Sequence, residues 1–289
     1  MKHYHPQLNH KSILSKAIIL YLIIVALALI ANIAPVQSAA AQSTSITLTP
    51  STFQIQGCEI VDVAIRINNI PGPPGPGLYG ADVLLTFDPA VLEVIDTLNA
   101  QEGIVDNILV PPLFVTRDYF DNMTGEVRYA ATQLHPTPDA YGSGNLLIVR
   151  FRAKSENLSA PFFSYTKLGN RNGVEIPAST AGAAVSTMAP AVASAFEISI
   201  LNSTTPRLDW TAVVDHDQFN LYRETTPYFS PGSPYQVLPT TQTQFDDVGA
   251  LGNPVPNYYY LLGSTCNNGF EGIAADRVGE FDFEIVPGS

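Results

Sequence analysis

The chain has 289 residues, of which 14 are lysine or arginine and 26 are aspartate or glutamate, giving a formal net charge of −12. Three of the lysines precede position 42 and no acidic residue does, so 11 basic and 26 acidic residues remain, a charge of −15. Such a surface is too acidic to follow a phosphate backbone, which excludes nucleic acid as a partner. Only 14% of the residues are charged, whereas 23 are proline and 20 are glycine, a composition typical of short strands joined by turns and not of helical architectures.

Residues 1–41 have the three-part plan of a secretory signal peptide. Basic residues up to Lys16 precede an apolar run of about 18 residues, Ala17–Ala34, and Ala39–Ala41 supply the small residues of a cleavage site. Because the apolar run is long enough to span a bilayer, an uncleaved N-terminal anchor is the alternative. In both cases the mature chain is expected to be secreted or held at the cell surface, with membrane contact only through an uncleaved leader.

From Ile46 onward, apolar and polar residues alternate with period two. In Val61–Asn68 the odd positions are branched and apolar, and the alternation returns around Val83–Phe87, Val127–Ala131 and Leu147–Phe151. Antiparallel sheets with one solvated face give this pattern, and the intervening loops are rich in proline, glycine and asparagine. Residues 44–185 are therefore predicted to form a β-sandwich with an ordinary hydrophobic core.

A second, smaller all-β unit is predicted for residues 196–289. The uncharged stretch 186–195, made mostly of Ala and Ser with single Thr, Met and Pro residues, is interpreted as a linker. The predicted strands of the second unit are Phe196–Leu201, Arg207–Trp210, Gln218–Arg223, Thr243–Asp246, Tyr258–Ser264 and Gly279–Ile285.

The two cysteines, Cys58 and Cys266, fall in different predicted units. Outside the cell a disulfide is permitted, and one between them would staple the two units together. The favoured interpretation is nevertheless two separate buried thiols. Their spacing matches no metal site.

The motifs in the sequence favour a protein that is not an enzyme. Gly75-x-Gly77-x-x-Gly80 has the letters of the dinucleotide fingerprint, but prolines precede it and a strand follows, whereas that motif must follow a strand and open a helix. Beyond the leader, His135 and His216 are the only histidines, one in each unit, so a dyad or zinc site would have to form across the linker. Carboxylate pairs for sugar hydrolysis require a cleft, and small sandwiches usually present faces. We predict no cofactor and no metal, with a Ca²⁺ site in the acidic loops as the alternative.

Three Asn-x-Ser/Thr triplets begin at Asn122, Asn157 and Asn202. Such triplets arise often by chance, and they serve only as support for loops at these positions.

The segment Gly80–Leu92 closes a strand on a turn in which Pro89 fixes φ, Asp88 can cap the turn and Leu92 returns to the core. It resembles the aromatic-Asp-Pro-x-x-Leu signature of the cohesin modules of cellulosome scaffoldins. Three further segments are similar, in order, to other cohesin strands, namely Ile46–Pro50, Gly125–Ala131 and Gly144–Phe151. The resemblance covers about 140 residues. It implies a nine-stranded jelly-roll β-sandwich, related in fold to cellulose-binding modules, that binds a dockerin without catalysis.

The same resemblance implies a set of partner-binding residues, because cohesins bind their partner on a flat sheet face and an adjoining loop. Asp82 matches the aspartate of the strand before the Asp-Pro turn, and Arg128, Ala130, Thr132 and Gln133 match outward positions of the middle strand and its exit. Asp82 would accept hydrogen bonds from a partner helix, and the small Ala130 and Thr132 would let it approach closely. Replacing Asp82 by alanine should then weaken partner capture and leave stability nearly unchanged. The alternative is that these residues are merely the solvated face of a sheet.

Two loops depart from the family pattern. The connection Asn69–Gly77 is longer and richer in proline than usual, and Leu134–Tyr141 is an expanded exit loop. Either loop could reshape or block the helix-binding face.

Residues 196–289 resemble a fibronectin type III domain, an immunoglobulin-like β-sandwich. Leu208–Trp210 is similar to its second strand, with Trp210 in the core, and Phe219–Arg223 is similar to its third. Tyr258–Leu262 and the turn Cys266–Phe270 are similar to its last hairpin. One tyrosine of Tyr258–Tyr260 is expected to form the tyrosine corner, and alternation places Tyr259 on the opposite side, which favours a structural role over sugar stacking.

The sequence thus predicts a secreted, non-catalytic cohesin-like module followed by a fibronectin-like spacer, working in extracellular assembly linked to polysaccharide degradation. Its expected partner is a dockerin-like protein module, and direct binding of a polysaccharide is the alternative. A sugar-binding face usually shows a row of exposed aromatic residues, whereas strands Gly80–Phe87 and Glu126–Thr132 show small and polar residues. This difference favours a protein partner.

Overall fold

The computed structural model describes residues 43–252, 256–274 and 277–279. The predicted signal peptide or anchor lies outside these residues, as does most of the strand predicted for Gly279–Ile285. The described residues from Ser43 onward belong to one compact unit. Within the described ranges, no helix has the length and apolar character needed to cross a membrane.

The chain folds into β-strands almost throughout the described residues, where the one helical element is the 3-10 turn Ala100–Glu102. The predicted all-β fold class is confirmed. The strands up to residue 188 are β1 (Ser45–Thr49), β2 (Thr52–Gln56), β3 (Ile60–Ile70), β4 (Gly80–Thr86), β5 (Leu92–Asn99), β6 (Leu113–Asp121), β7 (Glu126–Gln133), β8 (Gly142–Ala153), β9 (Leu158–Ser159), β10 (Phe162–Gly169), β11 (Glu175–Ile176), β12 (Ser179–Ala181) and β13 (Ala184–Met188).

These strands build the first sandwich. One sheet has the order β12-β1-β3-β8-β5 and the other β11-β10-β4-β7-β6, while β2, β13 and β9 form a small third sheet. The chain crosses repeatedly between the two large sheets, from β3 to β4 to β5 and later from β7 to β8 to β10, as in a jelly roll.

The predicted period-two alternation places one face of each strand in the first core. Val63, Ile65 and Ile67 of β3 are fully buried, and they share one core with buried apolar residues of the neighbouring strand β8 and of β4 and β7 in the other sheet. The rings of Phe87 and Phe151 meet edge to face with their centroids 5.5 Å apart. Burial of such side chains contributes roughly 1.5–3 kcal/mol each, so the alternation accounts for much of the stability of the sandwich.

The second sandwich follows residue 196. Its strands are β14 (Glu197–Asn202), β15 (Thr205–Asp209), β16 (Gln218–Glu224), β17 (Gln236–Pro239), β18 (Gln244–Asp246), β19 (Tyr259–Thr265), β20 (Glu271–Ile273) and β21 (Val278–Gly279). One sheet has the order β14-β15-β18, and the other has the order β17-β16-β19-β20, with β21 also pairing with β19.

Trp210 lies in the second core, as predicted, with its ring edge against Phe219. Tyr260 is fully buried there, but its hydroxyl donates to the Asp247 carboxylate at 2.7 Å, so its bond is to a side chain and not to upstream backbone as in a tyrosine corner. Tyr259 packs on the opposite side, against the separate cluster around Tyr222. The structural role predicted for the tyrosine run agrees with these positions.

A disulfide joins Cys58 of the first sandwich to Cys266 of the second, with the Cα atoms 5.4 Å apart. The favoured interpretation of two separate thiols is therefore wrong. The loop that carries Cys266 packs into the first sandwich, since Phe270 is part of the first hydrophobic core and the Asn268 side chain donates to Glu93 Oε1 and to the Ala153 carbonyl, both at 2.8 Å. The contacts of Asn268 and Phe270 with the first sandwich hold Cys266 beside Cys58, and no pattern in the sequence indicated these contacts.

A backbone contact beside the disulfide also joins the two sandwiches, and the connection between them is shorter than predicted. The Cys58 amide donates to the Asp215 carbonyl, and Gly57 has a φ of +56° with space for no side chain, because a Cβ would lie 2.5 Å from that same carbonyl oxygen. Strand β13 also continues through Met188, three residues into the predicted linker, because it pairs in parallel with β2. The second sandwich is consequently docked on the first, whereas the sequence predicted a spacer.

Candidate functional site

The outward face of the sheet β11-β10-β4-β7-β6, called the binding face below, carries four of the five predicted site residues. On β4 and β7 the odd-numbered side chains enter the core, so the even-numbered ones point away from it. The antiparallel register places Asp82 beside Ala130 and Gly80 beside Thr132. Strand pairing therefore assembles residues that are about 50 positions apart in the chain.

Asp82 is the centre of a charged cluster on this face. Its Oδ2 accepts a hydrogen bond from Arg128 Nη2 at 2.7 Å and lies 3.4 Å from Arg117 Nη1 of the edge strand β6. The Arg128 guanidinium also stacks 4.6 Å from the centroid of the Tyr165 ring on β10. Arg128 is thereby held against the sheet with little exposure, while Arg117 extends toward solvent.

A shallow depression of about 290 Å³ lies next to this cluster. Its floor is low because glycine and alanine occupy positions where other strands carry larger side chains. Lys167 of β10 is opposite Asp82 in the strand register and borders the depression. The lining residues are Gly80, Ala81, Asp82, Thr116, Ala130, Ala131, Thr132, Lys167 and Gly169.

Gln133, the fifth predicted residue, does not belong to the binding face. It is 1% exposed, its Oε1 accepts from the Val110 amide and its Nε2 donates to the Pro138 carbonyl, each at 2.8 Å. The prediction of an outward position is wrong because Gln133 has the strand parity of the core residues Val127 and Tyr129. Gln133 instead holds two loops to the end of β7.

Sequence reasoning missed the aromatic residues that flank the binding face. On the edge strand β6, Phe114 and Tyr119 are exposed, and on β10 Phe162 and Tyr165 are exposed. Bulges between residues 115 and 117 and between residues 163 and 165 break the alternation of both strands, so no period-two pattern marks these aromatic residues in the sequence. The row that crosses the sheet from Tyr165 to Tyr119 contains Leu84 and Arg128 between the rings and is therefore not a continuous aromatic strip.

Strand β6 also carries an aspartate with a shifted pKa. Partial burial raises the pKa of Asp118, although the side chains of Asn99 and Thr97 donate hydrogen bonds to its carboxylate and oppose that shift. These bonds connect β6 to β5 across the open edge of the sandwich. Asp118 thus fixes the edge strand that borders the binding face.

The two long loops meet each other at the end of the sheet where β4 begins, because Gly77 of the first lies so close to Asp139 of the second that a Cβ would be 2.5 Å from the Asp139 Cβ. Arg171 donates to the Asp139 carboxylate at 2.9 Å and to the Thr137 carbonyl, and its guanidinium lies 4.2 Å from the centroid of the Tyr79 ring. None of the residues that line the depression comes from either long loop. The loops therefore border the binding face and leave the depression open.

Among the described residues, one group of three could supply metal ligands, formed by Cys58, Asp217 and Cys266. Both of its sulfur atoms are consumed in the disulfide, so neither can act as a thiolate ligand. No group of three carboxylates close enough to share one ion is found in this part of the chain.

No protein-family model matches the sequence, and no curated protein matches it. Among solved structures, a non-cellulosomal cohesin of the archaeon Archaeoglobus fulgidus is similar at 15% identity and a TM-score of 0.38, over 50% of this chain and 91% of that one. A chain of a type I cohesin–dockerin complex from Clostridium thermocellum is similar at 10% identity and a TM-score of 0.42, over 50% and 99%. The chicken contactin domains FN1–FN3 are similar at 8% identity and a TM-score of 0.29, over 83% and 68%. Similarities this low assign neither a function nor a partner to this chain. Both must be inferred from its own surface.

Proposed function

We propose that this chain is a secreted, non-catalytic binding module that captures a dockerin-type protein on the binding face, in extracellular assembly linked to polysaccharide degradation. The observation that carries the proposal is the depression of about 290 Å³ with a floor of glycine and alanine beside the fixed Asp82–Arg128 pair. A helix needs such a floor to approach a sheet closely, and a pre-ordered ion pair costs little entropy on binding. The dockerin class comes from the sequence resemblance to cohesins.

The charges around the depression favour an acidic partner surface. Lys167 and Arg117, both exposed, flank the depression from β10 and β6, the strands on either side of the central pair β4 and β7. The chain as a whole is strongly acidic, so this local pair of cations would orient an acidic partner toward the binding face and accelerate encounter at low salt.

The proposal is tested by measuring the affinity of the immobilised full chain for a panel of purified dockerins, with Ca²⁺ and with a chelator, because dockerins fold around the ion. Ala130→Arg fills the depression and Lys167→Glu reverses a bordering charge. Each should weaken binding at least about tenfold, equivalent to about 1.4 kcal/mol. Ala181→Arg introduces the same side chain at an exposed position of β12 in the other sheet and should leave affinity unchanged.

If all three variants still bind a dockerin in the presence of Ca²⁺ with the affinity of the unaltered chain, the contact lies elsewhere on the molecule. Failure of every dockerin to bind would reject the dockerin class. Circular dichroism of each variant establishes that a loss of binding does not arise from unfolding.

Direct carbohydrate binding is the second candidate, favoured by the exposed rings of Phe114, Tyr119, Phe162 and Tyr165. Flat aromatic faces stack on pyranose rings, but here they lie on separate strands on the two sides of the depression. Carbohydrate binding would be selected over protein binding by three results together. The unaltered chain is retained on insoluble cellulose, Tyr119→Ala and Tyr165→Ala lose that retention, and no dockerin is captured.

A further inference from the structure

The three Asn-x-Ser/Thr triplets have different environments in the folded chain. A carboxamide can accept a glycan only when its Nδ2 is accessible and the hydroxyl of the third residue can be reached. The structure separates the triplets on both criteria.

The Asn122 side chain is engaged on both of its polar atoms. Its Oδ1 accepts from the Val94 amide at 2.7 Å, and its Nδ2 donates to the Val94 carbonyl at 2.8 Å. This pair of bonds continues the hydrogen bonding of β5, and the side chain is only partly exposed. Modification of Asn122 would require both bonds to break.

Asn157 is exposed, but its triplet is held in the sheet. The backbone amide of Asn157 donates to Thr187 Oγ1 at 2.9 Å, and the backbone carbonyl of Asn157 accepts from the backbone amide of Thr187 at 2.9 Å. The third residue, Ser159, belongs to β9 and is 8% exposed, with its Oγ buried. An enzyme therefore cannot reach the hydroxyl without displacing β9.

Asn202 lies at the tip of the hairpin between β14 and β15, where it pairs with Thr205 across a two-residue turn. Residues 202–204 are all exposed. Asn202 Oδ1 accepts from the Thr204 amide at 2.9 Å and from Thr204 Oγ1 at 3.0 Å, so the hydroxyl and the carboxamide already lie together. No described residue accepts a hydrogen bond from Asn202 Nδ2, and Asn202 is exposed.

We propose that Asn202 is an acceptor for an N-linked glycan and that it is the one triplet of the three that the folded chain presents. The donor class is an oligosaccharide on a polyprenyl pyrophosphate, which an exported chain meets at the membrane. Nδ2 forms a bond to the anomeric carbon of the first sugar, the bond from that carbon to the pyrophosphate oxygen breaks, the amide loses one proton to a base of the transferase, and the lipid pyrophosphate leaves.

The test uses the folded full chain, a single-subunit oligosaccharyltransferase and a polyprenyl-pyrophosphate oligosaccharide, with peptide mass spectrometry to locate the glycan. Three synthetic peptides spanning the triplets set the intrinsic rate of each site. In the folded chain, Asn202 should react within about tenfold of its peptide. Asn122 and Asn157 should react on the order of 100-fold more slowly than theirs, because each must first open locally at a cost of about 2.7 kcal/mol.

Variants separate chemistry from folding. Thr204→Val should abolish modification of Asn202, whereas Thr204→Ser and the middle-residue change Ser203→Ala should retain it. The proposal is overturned if folded Asn202 stays unmodified while its peptide reacts, if Asn122 or Asn157 reacts as fast as Asn202 in the folded chain, or if Thr204→Val is still modified. Thermal unfolding of each variant checks that the hairpin change leaves the second sandwich intact.

Discussion

Removing the disulfide should destabilise the second sandwich strongly. Cys58 and Cys266 are 208 positions apart, and closing a loop of that length lowers the entropy of the unfolded chain by about 18 cal/mol/K, or roughly 5 kcal/mol at 25 °C. If the first sandwich stays folded, Met188 remains beside Gly57 and the closed loop shortens to roughly 80 residues. Because the loop-closure entropy depends only on the logarithm of the loop length, the shorter loop still gives about 4.5 kcal/mol. The expected loss of stability therefore depends little on which sandwich unfolds first.

Trp210 offers a site-specific assay, because it is the single tryptophan and is buried in the second core. Urea unfolding followed by its fluorescence should show a midpoint lower by ~2 M in Cys58→Ala/Cys266→Ala, for an m-value of about 2 kcal/mol/M. The unaltered chain in reducing agent should behave like the variant. Equal midpoints for the variant and the oxidised chain would refute the loop-closure reasoning.

Three further outcomes follow from individual side chains. Asp82→Ala should lower the free energy of unfolding by about 1–2 kcal/mol, a value between those for exposed and buried ion pairs. A double-mutant cycle with Arg128→Ala, measured by urea unfolding, should recover most of this loss as coupling energy between the two side chains. A coupling energy below about 0.3 kcal/mol would mean that the ion pair adds nothing to stability. Gln133→Leu should cost about 2–3 kcal/mol by thermal unfolding, because two loop backbone groups lose their partner, and a neutral result would contradict the bonds described. Burial raises the pKa of Tyr222 to about 12, so between pH 10 and 12 the unfolded chain loses a proton that the folded chain keeps, and stability falls as pH rises. Tyr222→Phe should flatten that part of an alkaline stability profile.

The interior strands of the first sandwich were predictable, because β3, β4, β7 and β8 each bury one face and solvate the other. That condition fails at the edges. Most of β6 is exposed on both faces, and its bulge at residues 115–117 shifts the parity of every later residue. The edge strand β6 therefore carries no period-two signal, although it supplies Phe114 and Tyr119 beside the depression.

The candidate site was predictable to the extent that strand parity determines orientation. Asp82, Ala130 and Thr132 lie on the outward face for that reason, and the same rule applied to Gln133 would have placed it inside. The contact of Asp82 with Arg117 depends on pairing between β6 and β7, which the sequence did not reveal. The sequence predicted that Asp82→Ala would leave stability nearly unchanged. The ion pairs of Asp82 in the structure predict a measurable loss of stability instead.

The docking of the Cys266–Phe270 turn has a consequence for proteolysis. A protease that cuts the connection between the sandwiches after Met188 would produce two polypeptides that stay attached through sulfur, so the cleaved molecule would migrate as one species on a gel without reductant and as two with it. A fragment ending at residue 195 would also expose the apolar residues that Phe270 covers and would be prone to aggregate. The two sandwiches are accordingly expected to stay together after cleavage until the disulfide is reduced.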